Sequence, residues 1–397
     1  MARRNAHGAG SIRKRPDGLW EARYQVGINP KTGAPIRKSV YGRTQKEVRE
    51  KLTAATAAID AGDYLEPSKM PVAEWVETWL ANYTANLKPL TLDQYRRNLH
   101  NHIVPALGKV RLCQLTTDQI QAVYNDLRSR EDHPLSPKSV KNLHGVFRKC
   151  LEQAVRNRYI RYNPANACEL PRVERKEVKP LTEQEVALFL AEIKGSRYEA
   201  LYKVDLLTGM RKGELLGLTW DNVDFRRGQI TICQQLQKSK ETGLYTLASP
   251  KNGKQRRITP ARSVMDILWG VRQDQAQRRL LAGLLWEPDA GLASAVGLGD
   301  GLVFTDDLGC HLAMATVYSD FKRVAAKIGC PDARMHDLRH TYAVNALRYG
   351  DDIKTVQDNL GHATASFTLD VYGHVTDDMK KDSADRMERF FRSVSTK

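Results

Sequence analysis

No run of 18 or more apolar residues occurs in the chain, so none of it reads as a membrane-spanning helix. The first residues, Met1-Ala2-Arg3-Arg4-Asn5, lead into glycine and polar residues rather than an apolar stretch. That excludes a secretory signal and predicts a cytoplasmic protein with no membrane partner. Cysteine is sparse. Cys113, Cys150, Cys168, Cys233, Cys310 and Cys330 never fall within four residues of one another, which excludes zinc-knuckle and redox spacings and leaves small core residues. No glycine-rich phosphate loop of the G-x-x-x-x-G-K-[ST] type and no matched set of acidic metal ligands is present, so neither ATP nor a metal or other cofactor is expected in the chemistry.

Acidic residues are the other shortage, 46 Asp+Glu against 62 Lys+Arg, a formal charge of +16. The excess is uneven. Residues 1–65 carry 13 basic and 6 acidic side chains, residues 66–173 carry 16 and 10, and the last 224 residues carry 33 and 30. A solvated surface is the ordinary fate of such charge, but two successive folded-looking basic segments point to a polyanion gripped by several modules, double-stranded DNA first. With 397 residues, 41% of them hydrophobic, two or three folded domains are expected.

Residues 10–42 read as short strands. Bulky and polar residues alternate over 19–26 and again over 36–41, with Asn29-Pro30-Lys31-Thr32-Gly33 as turn chemistry between them. The segment 45–61 predicts a helix with Thr44 as its N-cap. The strand faces carry Arg13, Lys14, Arg15, Arg23, Arg37, Lys38 and Arg43 alongside Trp20 and Tyr24, a set suited to a small sheet entering the major groove. Residues 62–71 form a linker. From 72 to about 162 the apolar spacing is helical, giving four or five helices separated by Pro89, Pro105 and the Pro134–Pro137 turn. Asn163-Pro164 ends the bundle and the charged, proline-bounded segment 171–180 is a second linker. Beyond it, Thr182-Glu-Gln-Glu185 is a capping box, while 229–232 and 255–259 read as strands around a Gly/Asn-rich turn. After Thr341 the pattern is helical nearly to the end, broken near Gly350 and Gly361.

Three signatures stand out in the last domain: Thr208-Gly209-Met210-Arg211-Lys212-Gly213-Glu214-Leu215, His336-Asp337-Leu338-Arg339-His340, and Leu360-Gly361-His362 followed ten residues later by Tyr372. Each alone has a bland meaning: a surface ion pair, a structural histidine, a packing tyrosine. In this order they resemble the tyrosine recombinase (phage integrase) family, closely over about 175–397 and more loosely over 72–170 and 1–65.

The resemblance implies an arm-type DNA-binding domain at 1–65, a small α+β unit with a three-stranded sheet and a helix. It implies an all-α core-site-binding bundle at 66–173 and a mainly-α catalytic domain with a small antiparallel β-sheet at 174–397. It also implies catalytic roles for Arg211, Lys251, His336, Arg339, His362 and Tyr372. The two arginines would present planar donor forks to the non-bridging oxygens of a phosphorane-like transition state, and His362 would add a hydrogen bond. Tyr372 would be the nucleophile, His336 its base, and a hairpin lysine the acid for the departing 5′-oxygen. Lys251, directly after Pro250, takes that last place; Lys254, past Gly253, is the alternative and would contact backbone or solvent. Glu214 would orient a helix turn or an arginine, and His340 and His374 would be structural. Tyr318, Tyr342 and Tyr349 sit at the wrong distance from Leu-Gly-His to be nucleophiles.

A 3′-phosphotyrosyl route conserves bond energy, so the expected activity is metal- and ATP-independent strand exchange by a homotetramer on DNA core and arm sites in a bacterial cytoplasm. The extra basic module favours integration and excision of a mobile element such as a prophage, steered by a directionality factor (excisionase) and a host DNA-bending protein. Dimer resolution, a type IB topoisomerase-like relaxing activity and a non-catalytic DNA-binding regulator are the other readings. The amphipathic tail 377–397 either packs on a neighbouring protomer or closes its own core.

Overall fold

The computed structural model describes residues 11–28, 32–60, 69–174, 179–240, 242–250, 253–361 and 376–395. The chain divides into two compact units, Met1–Glu174 and Arg175–Lys397.

The first unit begins with an antiparallel sheet of order β1 (Ser11–Lys14), β2 (Trp20–Ile28) and β3 (Pro35–Gly42), followed by α1 (Gln45–Asp60). Thr44 caps the helix, its hydroxyl accepting from the Glu47 amide at 3.2 Å. Alternate residues of a strand face opposite ways, and the helix covers one side. Ala22, Tyr24, Val48 and Leu52 are buried there, with Ile12, Trp20, Val26 and Val40 packed around them. Trp20 and Tyr24 are therefore core residues, on the side of the sheet opposite Arg13, Arg23 and Arg37.

A second, separate apolar cluster belongs to the helices α2 (Val72–Asn82), α3 (Pro89–Asn98), α4 (Val104–Leu107), α5 (Thr117–Ser129) and α6 (Pro137–Arg156). Helix α2 buries Val72, Trp75, Val76, Trp79 and Leu80, the stripe that a 3.6-residue period dictates. The Trp75 indole donates to the buried Cys150 carbonyl at 3.0 Å, tying α2 to α6. Pro105 does not separate helices as its residue type suggests. A π-helical turn over Leu99–Ile103 joins α3 to α4, and proline sits at the start of the new segment, where its missing N–H does least harm.

In the second unit, α7 (Glu183–Glu192) opens with the expected capping box between Thr182 and Glu185. It packs with α8 (Glu199–Thr208) and α11 (Met314–Lys327) around Phe189, Tyr202 and Phe321. The short α9 (Lys212–Leu216) follows α8. Strands β4 (Val223–Asp224), β5 (Gln229–Ile232) and β8 (Arg256–Ile258) form one antiparallel sheet. Strands β5 and β8 do pair, but they do not flank a simple turn. A second hairpin, β6 (Gln235–Lys238) with β7 (Tyr245–Ala248), lies between them in the chain. Helices α10 (Arg262–Ala282), α12 (Met335–Arg348), α13 (Ile353–Leu360) and α14 (Thr376–Ser395) complete the unit. Among the described residues, no helix is long and apolar enough to cross a membrane.

Candidate active site

Helix α12 presents His336, Arg339 and His340 with the i, i+3, i+4 spacing of one helix face. Its start is fixed by a reciprocal cap in which the Arg334 amide donates to Asp337 at 2.8 Å. Arg339 is 1% exposed, and its guanidinium donates to the carbonyls of Gly209 at 2.7 Å and Leu360 at 2.6 Å. The His336 and His340 rings meet edge to face with centroids 4.8 Å apart. Desolvation, the neighbouring ring and Arg339 pull the His336 imidazole down to about 4, so it is neutral near pH 7.

Arg211 stands immediately before α9, where α8 ends in a left-handed turn at Gly209, φ 60°. That turn needs glycine twice over: a Cβ there would lie 2.5 Å from the Tyr342 ring and 2.8 Å from Leu360. Arg211 donates to the Glu214 carboxylate at 2.7 Å and to the Gly361 carbonyl at 3.1 Å. Glu214, 1% exposed, also takes a two-pronged ion pair from Arg256 at 2.7 and 3.0 Å. Burial raises the Glu214 carboxyl, but Arg256 and Arg211 outweigh it and hold the group at about 2. The opposite balance holds one helix away. Asp205 is fully desolvated on α8, and its carboxyl is pushed well above the usual range against the pull of Arg339.

Arg256, on β8, further donates from Nε to the Asn359 carbonyl at 2.8 Å. Gly361 is left-handed, φ 64°, and a Cβ on it would meet Arg256 Cδ at 2.9 Å. Three consecutive carbonyls at the end of α13, those of residues 359, 360 and 361, thus each accept from a different arginine. This grip sets the main chain that runs directly into His362. The structure brings Arg211, Arg339 and the Leu360-Gly361 turn together, with His336 three residues before Arg339 on α12; Lys251, His362 and Tyr372 lie outside the described residues. Lys254 is described and exposed. Tyr342 is occupied in packing, its ring against Gly209 and its hydroxyl accepting from the Asn359 amide at 3.2 Å. Arg256 escaped the sequence-based expectations, since an arginine in a strand after a polar turn has no pattern that marks it as buried.

In the first unit, strand register sorts the seven basic residues. Arg13 lies opposite Glu21, Arg37 opposite Gln25, and Arg23 opposite Ser11 and Ser39, all on the side away from α1. Lys14 and Lys38 pair with Trp20 and Tyr24 and so have the parity of the helix side. Arg15 lies over the Tyr41 ring, 5.4 Å from its centroid, and Arg43 follows β3.

An Arg-x-x-Glu helix start, a strand behind a hairpin and a His-x-x-Arg helix closing on one Leu-Gly turn define a tyrosine-type site-specific DNA recombinase. Residues 179–379 match the Phage integrase family and residues 72–128 match its phage integrase N-terminal SAM-like domain. The chain belongs to the phage integrase family. It is 27% identical over 377 residues to the tyrosine recombinase XerC-like protein of Caldanaerobacter subterraneus subsp. tengcongensis, covering 90% of this chain and 93% of that one. It is 24% identical over 448 residues to an integrase of Saccharopolyspora erythraea, covering 98% of each. Among solved structures it resembles the Tn1549 transposon integrase in complex with a circular intermediate DNA, with TM-score 0.65, 21% identity, and 80% of this chain and 100% of that one covered. A lambda integrase dimer bound to a core site gives TM-score 0.53 and 16% identity, over 96% of this chain and 97% of that one.

Proposed function

We propose that this recombinase integrates and excises a mobile element through a 3′-phosphotyrosyl intermediate at Tyr372. The observation that carries the assignment is the convergence of Arg211 and Arg339 on the turn that leads into His362. The Tyr372 phenolic oxygen attacks phosphorus, its proton passing to the neutral His336. The bond from phosphorus to the 5′-oxygen breaks, and that oxygen takes a proton from Lys251. Arg211, Arg339 and His362 stabilise the charge on the non-bridging oxygens. Resealing runs the same steps backwards with a 5′-hydroxyl from another strand.

In this reading the helices of 66–173 and the catalytic unit bind the core site, and the sheet of 1–65 binds arm sites. Four protomers act together, as in the lambda integrase tetramer on a Holliday junction, which the chain matches with TM-score 0.53 and 17% identity. A directionality factor and a DNA-bending protein select integration or excision. The span of the integrase relatives over the N-terminal module favours a mobile-element enzyme over a dimer-resolving one.

The deciding experiment uses nicked duplexes built on the element's attachment site, which lose the 5′-hydroxyl strand after cleavage. Metal-free incubation and a denaturing gel should show a covalent protein–DNA band that is absent in Tyr372→Phe. A band persisting in that variant, or none on DNA the protein binds with arm-site duplex present, overturns the assignment.

A further inference from the structure

The open face of the N-terminal sheet holds one acid among its bases. Glu21, the second residue of the central strand, is 3% exposed although among the described residues no helix covers that side. It is shielded by the side chains that clasp it. Arg13 donates from Nε at 2.7 Å with Nη2 at 2.6 Å, Arg23 from Nε at 3.0 Å, and Ser39 from its hydroxyl at 2.8 Å. These bonds hold the Glu21 carboxyl at about 2, so it is ionised at any working pH. The Arg13 and Arg23 side chains remain 58% and 51% exposed.

A sheet that attracted DNA by charge alone would be weakened by a carboxylate on its central strand. A guanidinium, however, has five donors in a rigid fork, so an arginine gripped along one edge still presents another at a fixed angle. Phosphate neutralisation tolerates a swinging side chain, whereas two-pronged contact with a base edge does not. We propose that Glu21 is a specificity-determining positioning residue, clamping Arg13 and Arg23 so that their outward edges read base pairs in the major groove. The inference rests on the proposed role of this sheet in arm-site binding.

The test uses the full chain and a randomised duplex pool. Wild type and Arg13→Ala/Arg23→Ala are each used to select duplexes, and a sequence lost by the double variant belongs to the sheet. Glu21→Gln should bind that duplex about tenfold more weakly, although the chain has become more positive, and should bind mixed-sequence DNA as tightly or more tightly. Glu21→Asp, which keeps the charge and shortens the reach by a methylene, should lose the selected duplex too, without the gain on mixed sequence. In the Arg13→Ala/Arg23→Ala background, Glu21→Gln should add nothing. Selected-duplex binding at or above the wild-type level in Glu21→Gln or Glu21→Asp overturns the proposal. So does an equal loss with and without the two arginines, which would make Glu21 a structural prop. If Arg13→Ala/Arg23→Ala selects the same duplexes at the same affinity as wild type, the sheet itself does not read DNA, and the proposal falls for that separate reason.

Discussion

At the scale of single residues, the site combines fixed arginines with neutral histidines. Lysine in place of Arg211 or Arg339 keeps the charge and loses the planar fork, so each substitution should slow single-turnover cleavage by about 100-fold while DNA affinity changes little. Arg256→Met removes the cation that shares Glu214 with Arg211 and holds the Asn359 carbonyl. It should lower the cleavage rate by about tenfold or more with wild-type binding in gel-shift titrations. Equal loss of binding and cleavage would mark Arg256 as a general stabiliser. His340, 7% exposed, titrates at about 4 because burial disfavours its charged form more than Asp337 favours it. A histidine whose folded value lies below its unfolded one, near 6.5, contributes its full stability above that pH and loses it as the pH falls towards about 4. Melting temperatures should therefore drop between pH 7 and pH 5, and His340→Gln should flatten that part of the curve. A curve of unchanged slope would remove His340 as the cause.

Elements, at the next scale, are placed by their ends. Helix α8 stops at Gly209, and the left-handed turn there lets Tyr342 and Leu360 close over it. Gly209→Ala faces both the unfavourable φ and the collision with the Tyr342 ring, and should cost about 2 kcal/mol or more in urea unfolding. An unchanged midpoint would show that the turn can relax at no cost. The signals of such ends are local, which is why the Thr182 capping box, the Thr44 cap and the breaks at Gly350 and Gly361 could be read directly from the chain. The β6–β7 hairpin could not, for both strands are short and the first is polar, with Gln235, Gln237 and Lys238 around a single buried leucine. Pro105 misleads for a related reason: proline marks a boundary, but a π-helical turn lets the helical path continue past it.

On the scale of the whole molecule, long-range pairing decides what local pattern leaves open. The motif order was enough to single out Arg211 and Arg339, since the chemistry demands those residue types. Arg256 and Glu21 were hidden because Glu214 and Asn359 for the one, and Arg13 and Ser39 for the other, lie on other strands and helices, at separations that only the fold brings together. The tail follows the same logic. Met387, Phe390, Phe391 and Val394 of α14 are all more than half exposed in the single chain, so burial within it offers them little. Phe390→Ser/Phe391→Ser should leave the melting temperature of the free protein unchanged and abolish cooperative assembly on paired sites in gel-shift assays. A fall in melting temperature with assembly intact would place the stripe within its own fold. The arginine grip at the end of α13 carries a consequence for inheritance. The acceptors of Arg256, Arg339 and Arg211 are main-chain oxygens of residues 359 to 361, and a point mutation in the gene changes side chains without deleting them. A lineage can therefore drift at Asn359 and keep the acceptor, whereas at Gly361 the absence of a side chain is itself what must be handed down.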